Sequence, residues 1–228
     1  MSAAAAPAPL KRIQTVLYSV EYWLTVSTEE SNTILLTTNP TEASSVQFES
    51  TTDDKEVGVD GTTPHYITFS TTEGPVRLRP SLSTAAHGVS LEGVTLTTTP
   101  HATWIRTAVS DPDVDTTEWS PSYKIALAGS TRLVSAFNST VILTDPAVVP
   151  ALTFTTETLC TDCGFCWTSH NSNTCSFCRA QADNTSYMVA NGKPPEFPCN
   201  CCGTPTPYGG YCSQACEWDT EGCPRGRD

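Results

Sequence analysis

The chain has 228 residues and carries 24 Asp and Glu against 12 Lys and Arg, a formal net charge of −12. That balance provides no basic stripe for a phosphate backbone, so no nucleic-acid partner is expected, and no stretch approaches the ~20 apolar residues of a membrane-spanning helix. All 11 cysteines fall after Leu159, which separates a cysteine-free part long enough to bury a core from a tail that needs metal or disulfides in place of one.

The start, MSAAAAPAPLKR, has small residues and prolines but no apolar run of signal-peptide length, and residues 1–14 read as a disordered leader. Without a secretion signal, the expected location is inside the cell, in cytoplasm or nucleus, or in a particle assembled there. Secretion is the alternative, and the sequons at Asn138 and Asn184 would matter only in that case.

From Tyr18 to Phe154 the chain is rich in Thr, Val, Ile, Leu and Tyr with short polar breaks and almost no 3.6-residue apolar period. Segments such as Tyr22–Val26, Thr33–Leu36, Val46–Phe48 and Tyr66–Phe69 have the length and turn-bounded spacing of strands, so the fold class is all-β. Tyr66-Ile67, Gly74 and Arg77-Leu78 recur as Tyr123-Lys124-Ile125, Gly129 and Arg132-Leu133, with an earlier copy near Tyr22-Trp23-Leu24. A second element repeats in step. Leu36-Thr37-Thr38-Asn39-Pro40 leads to Ala43 and Phe48, Leu96-Thr97-Thr98-Thr99-Pro100 to Ala102 and Ile105, and Leu143-Thr144-Asp145-Pro146 to Ala151 and Phe154. The pattern is a threefold internal repeat of a four-strand unit.

These residues resemble a β-trefoil over residues 15–157. The resemblance implies a barrel of six strands closed by six hairpin strands, and three units together remove the strand edges that each would leave alone. The expected inward residues are Leu24, Leu36, Phe48, Ile67, Leu78, Leu96, Ile105, Ile125, Leu133, Leu143 and Phe154. The fold is shared by lectins, cytokine-like ligands, protease inhibitors and actin-bundling proteins, so it implies binding without choosing the ligand. The Gln-x-Trp of ricin-type lectins is absent from the corresponding places, Val46-Gln47-Phe48, Thr103-Trp104-Ile105 and Leu152-Thr153-Phe154. A glycan is therefore the alternative ligand, through stacking on Trp23, Trp104 or Trp119.

Residues 158–228 form the cysteine-rich module. Cys160-Thr161-Asp162-Cys163-Gly164, Cys175-Ser176-Phe177-Cys178, Cys199-Asn200-Cys201-Cys202-Gly203 and Cys212-Ser213-Gln214-Ala215-Cys216 are four pairs with metal-ligand spacing. Two thiolates in one tight turn can share a tetrahedral ion, and the glycine accepts the positive φ that turns backbone N–H groups toward sulfur. Cys199 to Cys216 resembles treble-clef and MYND-type zinc fingers, which implies a metal site and a local shape. The expectation is two structural Zn2+ ions. Sequential sites would use Cys160, Cys163, Cys175 and Cys178 for one, and Cys199, Cys202, Cys212 and Cys216 for the other; a cross-brace would exchange the middle pairs. Cys166, Cys201, Cys223 and His170 are further candidate ligands, and a disulfide-bonded tail is the rival chemistry.

No catalytic set accompanies these ligands. Pro198-Cys199-Asn200-Cys201-Cys202 matches half of a zinc-deaminase signature, but none of His65, His87, His101 and His170 has Glu two residues on. HExxH, GxSxG and phosphate-cradling loops are missing, and Asp111–Asp115 reads as a solvated acidic turn because Thr116 and Ser122 replace the Gly and Glu of a calcium loop. The expectation is a non-enzymatic protein: a trefoil recognition or structural domain plus a zinc module for protein–protein contacts.

Overall fold

A computed structural model describes residues 9–29, 32–51, 59–98 except 86, 101–109, 120–169, 172–182 except 177 and 181, 197–198 and 205–206. The chain forms two compact units, residues 1–161 with 165–173, and residues 162–164 with 174–228. In the first, twelve strands follow one another: β1 (Lys11–Leu17), β2 (Val20–Ser27), β3 (Thr33–Thr37), β4 (Val46–Ser50), β5 (His65–Thr71), β6 (Gly74–Ala85), β7 (Gly88–Thr95), β8 (Trp104–Ala108), β9 (Tyr123–Leu127), β10 (Leu133–Phe137), β11 (Thr140–Thr144) and β12 (Phe154–Leu159). A short β13 (Trp167–Thr168) pairs with the end of β12. In the second, β14 (Phe197–Pro198) and β15 (Pro205–Thr206) make an antiparallel pair, and residues 178–180 are helical.

The pairings close on themselves. β1 pairs with β4, β4 with β5, β5 with β8, β8 with β9, β9 with β12, and β12 with β1, all antiparallel. The result is a closed barrel without free edges along that ring, which is how an antiparallel sheet hides its unpaired backbone groups. The remaining strands form the hairpins β2–β3, β6–β7 and β10–β11, and these pair in a second ring through Thr33↔Glu92, Ile142↔Ser90 and Thr140↔Leu35. Two tight connections carry paired left-handed residues, Tyr18 and Ser19 between β1 and β2, Asn138 and Ser139 between β10 and β11. That conformation matches the right-handed twist of a two-residue hairpin.

The core comes from alternate residues of these strands: Ile13, Leu24, Phe48, Ile67, Phe69, Leu78, Trp104, Tyr123, Ile125, Val134, Leu143 and Phe154 are all buried. Three expected inward residues are not. Leu96 is exposed beyond the end of β7, and Ile105 and Leu133 are only half-buried, because Trp104, Arg106 and Val134 take the inward positions beside them. A strand alternates faces residue by residue, so choosing the neighbour reverses the side. Arg106 is the unexpected occupant, 4% exposed. Its guanidinium lies 3.5 Å over the Phe48 ring and 5.4 Å from that of Tyr123, and such faces attract a cation more strongly once water is excluded.

β1 begins at Lys11, inside the segment expected as a leader. Its Arg12, Ile13 and Thr15 are buried because β12, from the far end of the domain, pairs with it from Lys11↔Thr158 to Thr15↔Phe154. Trp23 and Trp104 are also internal: their indole N–H groups donate to Glu157 Oε2 and the Leu78 carbonyl. Neither offers an open face for stacking on a sugar. Trp119, Asp111–Asp115 and Asn184 lie outside the described residues.

Candidate metal centre

The centre grows out of the end of β12. Leu159↔Trp167 is the last pair of the β12–β13 hairpin, and beyond it the Cys160 N–H donates to the Cys166 carbonyl at 2.8 Å. The chain between them is a tight turn that carries Cys163 and then Gly164, whose φ of +67° is the left-handed conformation glycine tolerates best. Thr161 N–H donates to the Asn173 carbonyl at 2.9 Å, which ties the segment leading to Cys175 to this turn. Cys175 then opens the helical stretch, where Arg179 N–H donates to its carbonyl at 3.0 Å.

These links bring four sulfurs together. The Sγ atoms of Cys160, Cys163, Cys175 and Cys178 all lie within 4.8 Å of one another. Sulfurs around one ion with ~2.3 Å bonds would stand about 3.8 Å apart, so the set needs only a small contraction. Cys160, Cys175 and Cys178 are buried and Cys163 is half-buried. The Cys178 N–H points at Cys175 Sγ at 3.5 Å, the kind of backbone contact a metal-bound sulfur accepts. The four cysteines could hold a metal ion, and with four protein ligands they would leave no open position for a reacting water.

Cys166 is exposed and lies outside the four-sulfur set, contributing its carbonyl to the turn. Cys199, Cys201, Cys202, Cys212, Cys216, Cys223 and His170, the other candidate ligands, lie outside the described residues.

Residues that no metal-ligand spacing predicts surround the base of the turn. Arg12 Nε donates to Glu157 Oε2 at 2.7 Å and its Nη1 to the Pro40 carbonyl at 3.0 Å. The Trp23 indole N–H reaches the same Glu157 oxygen at 2.8 Å. The Arg12 guanidinium lies 4.3 Å from the centre of the Trp167 ring and 5.2 Å from that of Trp23. The ion pair joins residues 145 positions apart, so no local motif could reveal it.

No protein-family model matches the chain, and no curated protein matches it. Among solved structures it is similar to the double-headed arrowhead protease inhibitor A in complex with two trypsins, at a TM-score of 0.50 and 14% identity over 68% of this chain and 91% of that one. The likeness is one of fold, an all-β closed barrel with a neighbour of β-trefoil type. No helix among the described residues is long and apolar enough to cross a membrane.

Proposed function

We propose that this chain is a non-enzymatic binding or assembly protein, in which a β-trefoil offers the recognition surface and a zinc-stabilised cysteine module adds a second surface for protein contacts. The observation that carries the reading is the convergence of four cysteine sulfurs within 4.8 Å of one another, a ligand set suited to structural zinc and not to water activation. Two strand rings support the trefoil. The barrel ring joins strands at Lys11↔Val46, His65↔Trp104 and Tyr123↔Phe154, and the hairpin ring joins β3, β7 and β11 in pairs. That is the arrangement expected of three four-strand copies, with the first copy starting at β1.

A protein is the favoured ligand because the structural neighbour is a protein-binding inhibitor, and because Trp23 and Trp104, two of the three tryptophans the sugar-stacking alternative relies on, are buried. A second zinc would occupy Cys199, Cys202, Cys212 and Cys216. The reducing interior of a cell, or a particle assembled there, suits a protein whose cysteines hold metal. The test uses the full chain, zinc-loaded and immobilised, against protein and glycan arrays. Saturable binding of a protein that excess saccharide does not compete supports the proposal; binding confined to glycans overturns it.

A further inference from the structure

We infer that Arg12 and Trp167 are positioning residues for the metal centre, fixing the β12–β13 turn so that Cys160 and Cys163 meet the ion already arranged. The inference rests on the zinc reading above and extends it to residues that touch no metal. β13 has two residues, and its ladder to β12 consists of Thr158↔Thr168 and Leu159↔Trp167. A strand so short contributes little hydrogen bonding of its own, and an isolated pair of this size is marginal in water. Side-chain packing has to hold it.

The packing is the stack of Trp167 on Arg12. Arg12 is only 7% exposed, a burial that calls for compensation of its charge. Glu157 supplies the opposite charge at 2.7 Å, the Pro40 carbonyl takes a second N–H, and the Trp23 indole N–H bonds the same carboxylate. Arg12 is thereby held beside two indoles, that of Trp23 from β2 and, closer, that of Trp167 from β13. An arginine suits this place better than a lysine because its planar group can stack and donate at once. Immediately beyond the Trp167 pair, the Cys160 N–H to Cys166 carbonyl bond closes the turn. If the stack is lost, the turn must be ordered by the metal, and the ordering cost appears as weaker binding.

A partly desolvated cation–π contact of about 1–2 kcal/mol corresponds to a loss of roughly tenfold in affinity. The experiment measures Co2+ and Zn2+ affinity of the full chain by anaerobic chelator competition, for the wild type and for Trp167→Ala, Trp167→Phe, Arg12→Ala and the Arg12→Ala/Trp167→Ala double variant. The expected result is about tenfold weaker binding in Trp167→Ala, near-wild-type binding in Trp167→Phe, and a double variant no weaker than Arg12→Ala alone. At saturation, the Co2+ absorption of a four-thiolate tetrahedral site should be unchanged in every variant, since no ligand has been removed. Trp167→Phe keeps the test open if either alanine variant fails to fold: a weakening of more than threefold together with altered Co2+ bands overturns the inference. Affinities of the folded alanine variants within twofold of wild type also overturn it. A wild-type chain that binds neither ion refutes the zinc reading itself, which is a distinct result.

Discussion

Lowering the pH from 7 to 4 should destabilise the barrel through His65, a fully buried side chain on β5. Its Nδ1 lies 3.1 Å from the Thr63 carbonyl and so carries the proton of the neutral ring, while Nε2 has no hydrogen-bond partner among the described residues. Burial lowers its pKa from 6.5 to about 4, helped by the positive Arg106 and opposed by the Thr63 carbonyl and the more distant Asp60. In the unfolded chain the imidazole takes a proton as pH falls through 6.5, whereas the folded ring resists until about 4. Between those values the unfolded state binds more protons, so stability falls as pH falls, and below 4 this group contributes no further slope. At ~1.4 kcal/mol per unit, the total is at most about 3.5 kcal/mol, a large share of a domain's stability. Asp60 does not confuse the window, because donors from Thr63 and Thr62 hold its carboxylate well below the usual carboxylate range. The assay is urea unfolding at half-unit pH steps for wild type and His65→Asn, whose amide can replace the Nδ1–H donor without titrating. The stability difference between them should decline by about 2–3 kcal/mol from pH 6.5 to 4. A difference that stays flat within ~0.5 kcal/mol would refute the reasoning, because it would mean the folded ring protonates as readily as the unfolded one.

Other outcomes follow from single contacts. Gly93→Ala would put a Cβ 2.5 Å from Val76 Cγ2 and 3.0 Å from Val76 Cβ, and overpacking of this kind costs about 1–3 kcal/mol; thermal unfolding should show the loss and its partial recovery in the Val76→Ala/Gly93→Ala double variant. Trp104→Ala should cost about 3–5 kcal/mol, and Ile105→Ala distinctly less, since Trp104 is fully buried and Ile105 is not; equal losses in urea unfolding would contradict the strand register. Cys175→Ser removes both a ligand and the sulfur that accepts the Cys178 N–H, so Zn2+ affinity measured by chelator competition should fall at least about a hundredfold.

Strand positions were legible in the sequence because short β-branched and aromatic runs such as Thr33–Leu36 and Tyr66–Phe69 lie wholly within β3 and β5. Strand phase was less so. At Trp104-Ile105-Arg106 every reading by hydropathy favours the isoleucine as the inward residue, yet its two neighbours are the buried ones. Only the Phe48 and Tyr123 rings, from other strands, make an inward arginine tolerable. β1 was hidden for a similar reason: Lys11-Arg12-Ile13-Gln14 becomes a strand through a partner at the opposite end of the domain. The four cysteines were visible because their pairs are local, spaced by two residues. The Arg12–Glu157–Trp167 support was not, since its parts come together only after the barrel has closed.

The most direct test of the account is elemental analysis of the purified full chain, held under reducing conditions, together with a count of its free thiols. Bound zinc is expected, at least one ion per chain and two if Cys199, Cys202, Cys212 and Cys216 form the second site, with Cys160, Cys163, Cys175 and Cys178 recovered as thiols once the metal is chelated. A metal-free chain that remains metal-free after incubation with Zn2+, or one whose Cys160, Cys163, Cys175 and Cys178 are joined as disulfides, would contradict it.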